Sequence, residues 1–237
     1  MIIPTFRFYS ADNAIARRET VYAWHKRLKE ERASDKAKGG SSHTPYLLYN
    51  NSSADLDTMV ELFARLENGL GEKIDILKLH IDCFRDFSMV NLERLIQLKN
   101  KYKLTLWEDR KFADIGVIVK KQIDQSLYCY DLWVDIFTIH SLMGKDTIDS
   151  LQQLKYNWIL VGEMSTANNL MNEEYVSKSL EIYKSNSKIV GIVTQHFLGD
   201  DIIHIVPGIS KTNKKDNNGQ VYHTMEKIKV CENKRLQ

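Results

Sequence analysis

The chain has 237 residues, 43% of them hydrophobic, enough to bury one sizeable core without division into several domains. Its 33 Lys and Arg against 31 Asp and Glu leave a net charge of +2, scattered along the chain, which argues against a dedicated nucleic-acid or membrane surface. Three cysteines, Cys83, Cys129 and Cys231, form no C-x-x-C pair and no metal-ligand spacing, and no apolar run approaches the roughly 20 residues that span a bilayer. A cytoplasmic protein with reduced thiols is expected.

The start, MIIPTFRFYSADNAIARRE, shows no signal-peptide pattern. A helix is expected over 14–32, with Ala14, Val21, Trp24 and Leu28 at helical spacing, followed by a mobile polar loop up to residue 45. After Pro45 the pattern changes. Short apolar runs recur: YLLYN (46–50), IDILKLH (74–80), LTLWED (104–109), VDIFTIH (134–140), NWILVGE (157–163), KIVGIVT (188–194) and IIHIVPG (202–208). Segments such as LDTMVELFARLENG and SMVNLERLIQLKNKY lie between them, with apolar residues at i, i+3, i+4 and i+7.

Strands alternating with helices imply a parallel sheet buried on both faces. No G-x-G-x-x-G or P-loop follows any strand. Polar residues gather instead at many strand ends: Lys78, His80, Asp109, His140, Glu163 and Gln195. A barrel enzyme assembles its site this way, whereas an open doubly wound sheet concentrates it at one switch point. The expected fold is a (β/α)8 TIM-type barrel, shortened to about seven βα units, as a single domain over 46–237.

The stretch WEDRKFADIG (107–116) drives Asp109, Lys111 and Asp114 off the end of an apolar strand, and Lys78 interrupts the neighbouring run IDILKLH. An ammonium among leucines is costly unless carboxylates offset it. A Lys–Asp–Lys–Asp array satisfies all four charges and suits proton delivery beside a substrate anion. A structural ion-pair network is the alternative reading of the same residues.

D-x-K-x-x-D, as Asp109, Lys111 and Asp114, resembles the signature of orotidine 5′-phosphate decarboxylases. ILKLHID resembles that family's K-x-H-x-D strand, with Lys78, His80 and Asp82, and DFSM (86–89), GEMS (162–165), VPGI (206–209) and GQVY (219–222) follow in the family's order. The similarity runs from about Tyr46 to Thr224. It implies metal-free, cofactor-free decarboxylation of orotidine 5′-monophosphate (OMP) to UMP. It also implies a barrel homodimer with shared active sites, in which Asp114 serves the partner's site. Lys78, Asp109, Lys111 and Asp114 would be catalytic, with Lys111 protonating carbon 6. Asn50, His80, Ser165, Pro207, Gln220 and Tyr222 would bind the nucleotide, while His140 is read as structural.

This chain departs from the resemblance in three places. Asn50 and Asn51 stand where the family carries an aspartate, and Ile118 where it commonly has a threonine. After Tyr222 the chain reads HTMEKIKVCENKRLQ, without an apolar strand, so an eighth strand and its phosphate-gripping arginine are expected to be missing, and Arg235 does not take that role. The edges left open by such a gap would need cover, for which IIPTFRFY is a candidate. A catalytically silent nucleotide- or protein-binding module is the second reading, and a barrel enzyme acting on another phosphosugar the third.

Overall fold

Seven stretches of continuous apolar sequence become seven strands, because a strand covered on both faces has no solvent side to vary. The structure, a computed structural model, describes residues 47–50, 74–199, 202–207, 209–210 and 223–224. The strands are β1 (Leu47–Asn50), β2 (Ile74–Leu79), β3 (Thr105–Phe112), β4 (Ile136–His140), β5 (Asn157–Val161), β6 (Ile189–Val193) and β7 (His204–Ile205). Every neighbouring pair is parallel, and the spatial order follows the chain order from β1 to β7. A doubly wound sheet reverses its order at a switch point; this one does not, so it curls as part of a barrel. A separate two-stranded parallel pair joins β8 (Ile209–Ser210) to β9 (His223–Thr224). The helix expected over 14–32, the loop after it and the LDTMVELFARLENG segment lie outside the described residues.

Side chains alternate across each strand, so the sheet separates two apolar layers. Leu77, Leu79, Leu106, Phe137, Ile139, Trp158, Leu160, Ile189 and Ile192 face outward and pack with helix residues. Ile76, Trp107, Ile136, Ile159, Val190, Val193 and Ile205 form a second cluster on the inner face. Each large side chain buried this way contributes roughly 1.5–3 kcal/mol.

The described helices are α1 (Met89–Tyr102), α2 (Gly116–Asp124), α3 (Tyr130–Trp133), α4 (Lys145–Ser150) and α5 (Glu173–Ser185). Helix α1 starts where the Ser88 hydroxyl accepts the Asn91 amide, 3.2 Å away, and it buries Leu92, Leu95 and Leu98. It ends at Lys103 in the left-handed region, with Lys99 and Lys101 in the last turn, where cations favour the exposed carbonyls. In α5 the Asn172 side chain caps Tyr175, and Glu173 and Glu174 occupy the first turn.

Strand boundaries differ from expectation where side chains intervene. β4 begins two residues late because Asp135 has another task. Its carboxylate accepts the Leu106 amide at 2.8 Å and pairs with Lys99 at 2.7 Å, tying α1 to the base of β3 and β4. β3 runs on to Phe112, three residues past the expected end.

The glycine closing WEDRKFADIG is a close-approach residue. A Cβ on Gly116 would sit 2.3 Å from the Ser150 hydroxyl oxygen on α4. Gly116→Val should lower stability by about 1–3 kcal/mol, and adding Ser150→Gly should recover part of it, read as urea midpoints.

Candidate active site

The inner face is apolar low in the sheet and polar at the carboxyl ends of the strands. On β2, Lys78 follows Ile76; on β3, Asp109 follows Trp107; on β4, Thr138 follows Ile136. Strand pairing sets Lys78 opposite Trp107, one step from Asp109. Asp109 is 5% exposed, and its Oδ2 is met by Lys78 Nζ at 2.8 Å and Lys111 Nζ at 2.6 Å. Its Oδ1 accepts the Thr138 hydroxyl at 2.7 Å, and the Thr138 oxygen in turn accepts the Trp107 indole N–H at 2.7 Å.

Local backbone geometry brings Lys111 back onto Asp109. Pairing of β3 with β4 runs through Glu108 opposite Phe137 and resumes at Phe112 opposite Ile139. Asp109, Arg110 and Lys111 therefore pass against Thr138 alone, a bulge. Lys111 has φ +53°, the left-handed region that non-glycine residues rarely occupy, at a cost of order 1–3 kcal/mol. Such strain persists only where the surroundings hold it, and here the ion pair to Asp109 does so.

Burial opposes ionisation of Asp109, yet Lys78 and Lys111 outweigh it and hold the carboxyl far below the ordinary carboxylate range. His80 places Nε2 3.4 Å from Asp109 Oδ2. Burial lowers its pKa, Asp109 opposes that, and Lys78 and Lys111 reinforce it, so at pH 7 the imidazole is neutral and the contact is not an ion pair. His140, at the end of β4, is likewise lowered by burial and by Lys111.

Comparison with known proteins gives this geometry a lineage. Residues 52–235 match the model of the Orotidine 5'-phosphate decarboxylase / HUMPS family. The chain belongs to that family. It is 33% identical over 193 residues to the orotidine 5'-phosphate decarboxylase of Candida dubliniensis, covering 75% of this chain and 71% of that one. It is 30% identical to the uridine 5'-monophosphate synthase of Bos taurus, over 74% of this chain and 38% of that longer protein. Among solved structures, the orotidine 5'-monophosphate decarboxylase of Methanocaldococcus jannaschii superposes with a TM-score of 0.50 at 20% identity, over 65% of this chain and 72% of that one. The same enzyme complexed with the inhibitor BMP gives the same TM-score over 64% and 68%. These structural likenesses support the partial (β/α)8 barrel.

Of the decarboxylase-type residues expected from sequence, Lys78, His80, Asp109 and Lys111 come together. Asp114 does not join them within the chain. It is exposed in the loop leading into α2, and its Oδ1 accepts the following Ile115 amide at 2.8 Å. Ser165 lies half-buried beyond β5 and Pro207 half-buried beyond β7, both past carboxyl ends of strands. Asn50 ends β1 at the register position of Lys78. Gln220, Tyr222 and Arg235 lie outside the described residues. The family match runs on to residue 235, past the place where an eighth strand is expected to be missing.

Three participants escape the sequence pattern. Thr138 is a polar residue inside IFTIH, a signal easily taken for a β-branched core position. Trp107 reads as core but donates to Thr138, and Lys78 Nζ lies 5.4 Å from the centre of its ring. Glu108, beside Asp109 in sequence, points to the opposite face and is fully buried. His80, Asp82 and Glu108 bring one donor atom each within 4.8 Å, a spacing that could hold a cation. However, Glu108 Oε2 already accepts the Ile81 amide at 3.0 Å, and Asp82 lies 4.0 Å from Arg110 Nε.

Burial pushes the Glu108 carboxyl well above its ordinary value of 4.5, and Asp82 and Asp109 add to that, against the Ile81 amide and Arg110. An acid raised in the folded state stabilises it below the unfolded value and loses that contribution as pH rises through the folded one. Glu108→Gln, which cannot ionise, should therefore gain stability relative to the parent as pH climbs above 4.5, read from urea midpoints across a pH series.

Proposed function

We propose that the chain decarboxylates orotidine 5′-monophosphate to UMP in pyrimidine biosynthesis, without metal or cofactor. The observation that carries this reading is the convergence of Lys78 and Lys111 on the buried Asp109 carboxylate, in a chain of the decarboxylase family. The likeness to a decarboxylase solved with the inhibitor BMP supports a nucleotide ligand.

Asp109 faces the substrate carboxylate, and the Lys111 ammonium faces carbon 6. The bond from carbon 6 to the carboxylate breaks, carbon dioxide leaves, and the electron pair stays on carbon 6. Lys111 stabilises that charge and gives carbon 6 its proton. Lys78 shares Asp109 with Lys111 and keeps the carboxylate ionised and aimed. Asn50, His80, Ser165, Pro207, Gln220 and Tyr222 bind the nucleotide, and remote phosphate contacts help lower the barrier.

The working unit is a homodimer of single-domain barrels in the cytoplasm. Asp114 supports this, because it is exposed and its Oδ1 accepts the Ile115 amide, while Ile115 and Val117 beside it are each 57% exposed. A second chain would cover this apolar ridge and bring its Asp114 to the neighbouring site. The silent-module reading rests on Ile118, half-buried in α2 where a hydroxyl would reach the ligand, and on Asn50.

Purified protein should release carbon dioxide from orotidine 5′-monophosphate, and Lys111→Ala should lower kcat at least about a thousandfold. A rate equal to the buffer blank at high protein concentration would sink the proposal in favour of the silent module. Mixing Lys111→Ala with Asp114→Ala chains tests the shared site. One intact site forms per mixed dimer, so activity should return to about a quarter of the parent's. A mixture no more active than its components would rule out sharing.

A further inference from the structure

We infer that Glu108 is a positioning residue for this reaction: by accepting the Ile81 amide it locks the exit of β2 onto β3 and so sets Lys78 against Asp109. The inference rests on the decarboxylase reading, which assigns Glu108 no part.

The β2·β3 ladder pairs Ile76 with Thr105 and ends with Leu79 opposite Glu108. Beyond it the two strands part. β2 turns at His80 into a short 3-10 helix over Ile81–Cys83, and β3 enters the bulge that carries Lys111. Ile81, fully buried, thus brings an amide to the place where the ladder stops supplying acceptors. Glu108 Oε2 takes it at 3.0 Å, spanning the same two strands from the outer face that Lys78 and Asp109 span from the inner face at 2.8 Å.

The paired contacts clamp the sheet from both sides at one level. Without the outer one, the turn holding His80 loses its tie to β3, and Lys78, two residues earlier, loses the support that fixes its reach. Glu108 Oε1 is buried with no hydrogen-bond partner among the described residues. The carboxyl is also pushed towards its neutral form by burial and by Asp82 and Asp109. A neutral acceptor suits this place, because an ionised carboxylate fully buried on the outer face would carry a desolvation cost.

The test compares the full-length parent with Glu108→Gln, which keeps an acceptor oxygen, and Glu108→Leu, which removes it at similar volume. Steady-state kinetics are read together with crystal structures of all three. Glu108→Gln should hold kcat within about threefold of the parent, while Glu108→Leu should lower kcat at least about tenfold with little change in KM. In the Leu variant the Lys78–Asp109 contact should open beyond about 4 Å, and in the Gln variant it should persist.

Parental kcat and an intact contact in Glu108→Leu would overturn the inference. So would equal damage in both variants, since the acceptor would then not be what matters. A parent inactive on orotidine 5′-monophosphate defeats the decarboxylase reading and with it the kinetic comparison. The crystallographic comparison still decides whether Glu108 sets the lysine.

Discussion

A carboxylate 5% exposed cannot stand alone, and the architecture around Asp109 follows from that constraint. Removing such a group from water costs several kcal/mol, recovered only when good partners meet both oxygens. Here Lys78 and Lys111 meet one oxygen and Thr138 the other. Three strands must contribute: β2 for Lys78, β3 for Asp109 and Lys111, β4 for Thr138. They can do so only as parallel neighbours in this register, ending at one level. The sequential sheet order and the charge cluster are therefore one requirement seen at two scales. Deleting either lysine alone would leave Asp109 under-compensated, whereas losing a surface pair such as Lys178–Glu174 would matter little.

The cluster also needs a floor, which the lower inner face provides. Ile76, Trp107, Ile136 and Ile159 close the space beneath the charges. Trp107 joins the two levels, packing with the apolar set while its indole N–H fixes Thr138. Preorganisation of this kind lets a cation meet developing charge without reorientation at the moment of reaction. A related device works across the sheet. Glu163, just beyond β5, accepts the Gln195 and His196 amides at 2.5 and 3.0 Å, where β6 gives way to its loop. Burial pushes Glu163 up, but these amides and the Thr194 and His196 side chains outweigh it and keep its pKa low. At two strand exits, then, an acid captures amides that the ladder no longer serves, with Glu108 driven towards neutrality and Glu163 held as an anion.

Much of this was legible in the sequence because parallel strands buried on both faces leave unbroken apolar runs. All seven runs became strands of one sheet. Lys78, Asp109 and Lys111 were legible for the same reason, since charge directly after such a run marks a strand end. Less local facts were hidden. No glycine announces the left-handed backbone at Lys111, which lies in the bulge where β3 passes Thr138 of β4. Thr138 looks like any β-branched strand residue until Asp109 lies across from it. Glu108 and Asp109 are adjacent acids with opposite fates, and only the pleat, sending them to opposite faces, separates them. β4 starts late because Asp135 is recruited by Lys99 and the Leu106 amide, contacts between residues far apart in sequence.

Spacing in D-x-K-x-x-D explains why the last aspartate behaves differently from the first. Asp109 and Lys111 are two residues apart at the end of β3, where the bulge and the left-handed backbone at Lys111 bring its ammonium onto the carboxylate. Asp114 is three residues further on, past Phe112 and beyond the strand, where the chain turns into α2. Its carboxylate is exposed and accepts the Ile115 amide at 2.8 Å. The same loop leaves Ile115 and Val117 exposed, so an apolar surface lies directly beside Asp114, the surface on which the proposed shared site would depend.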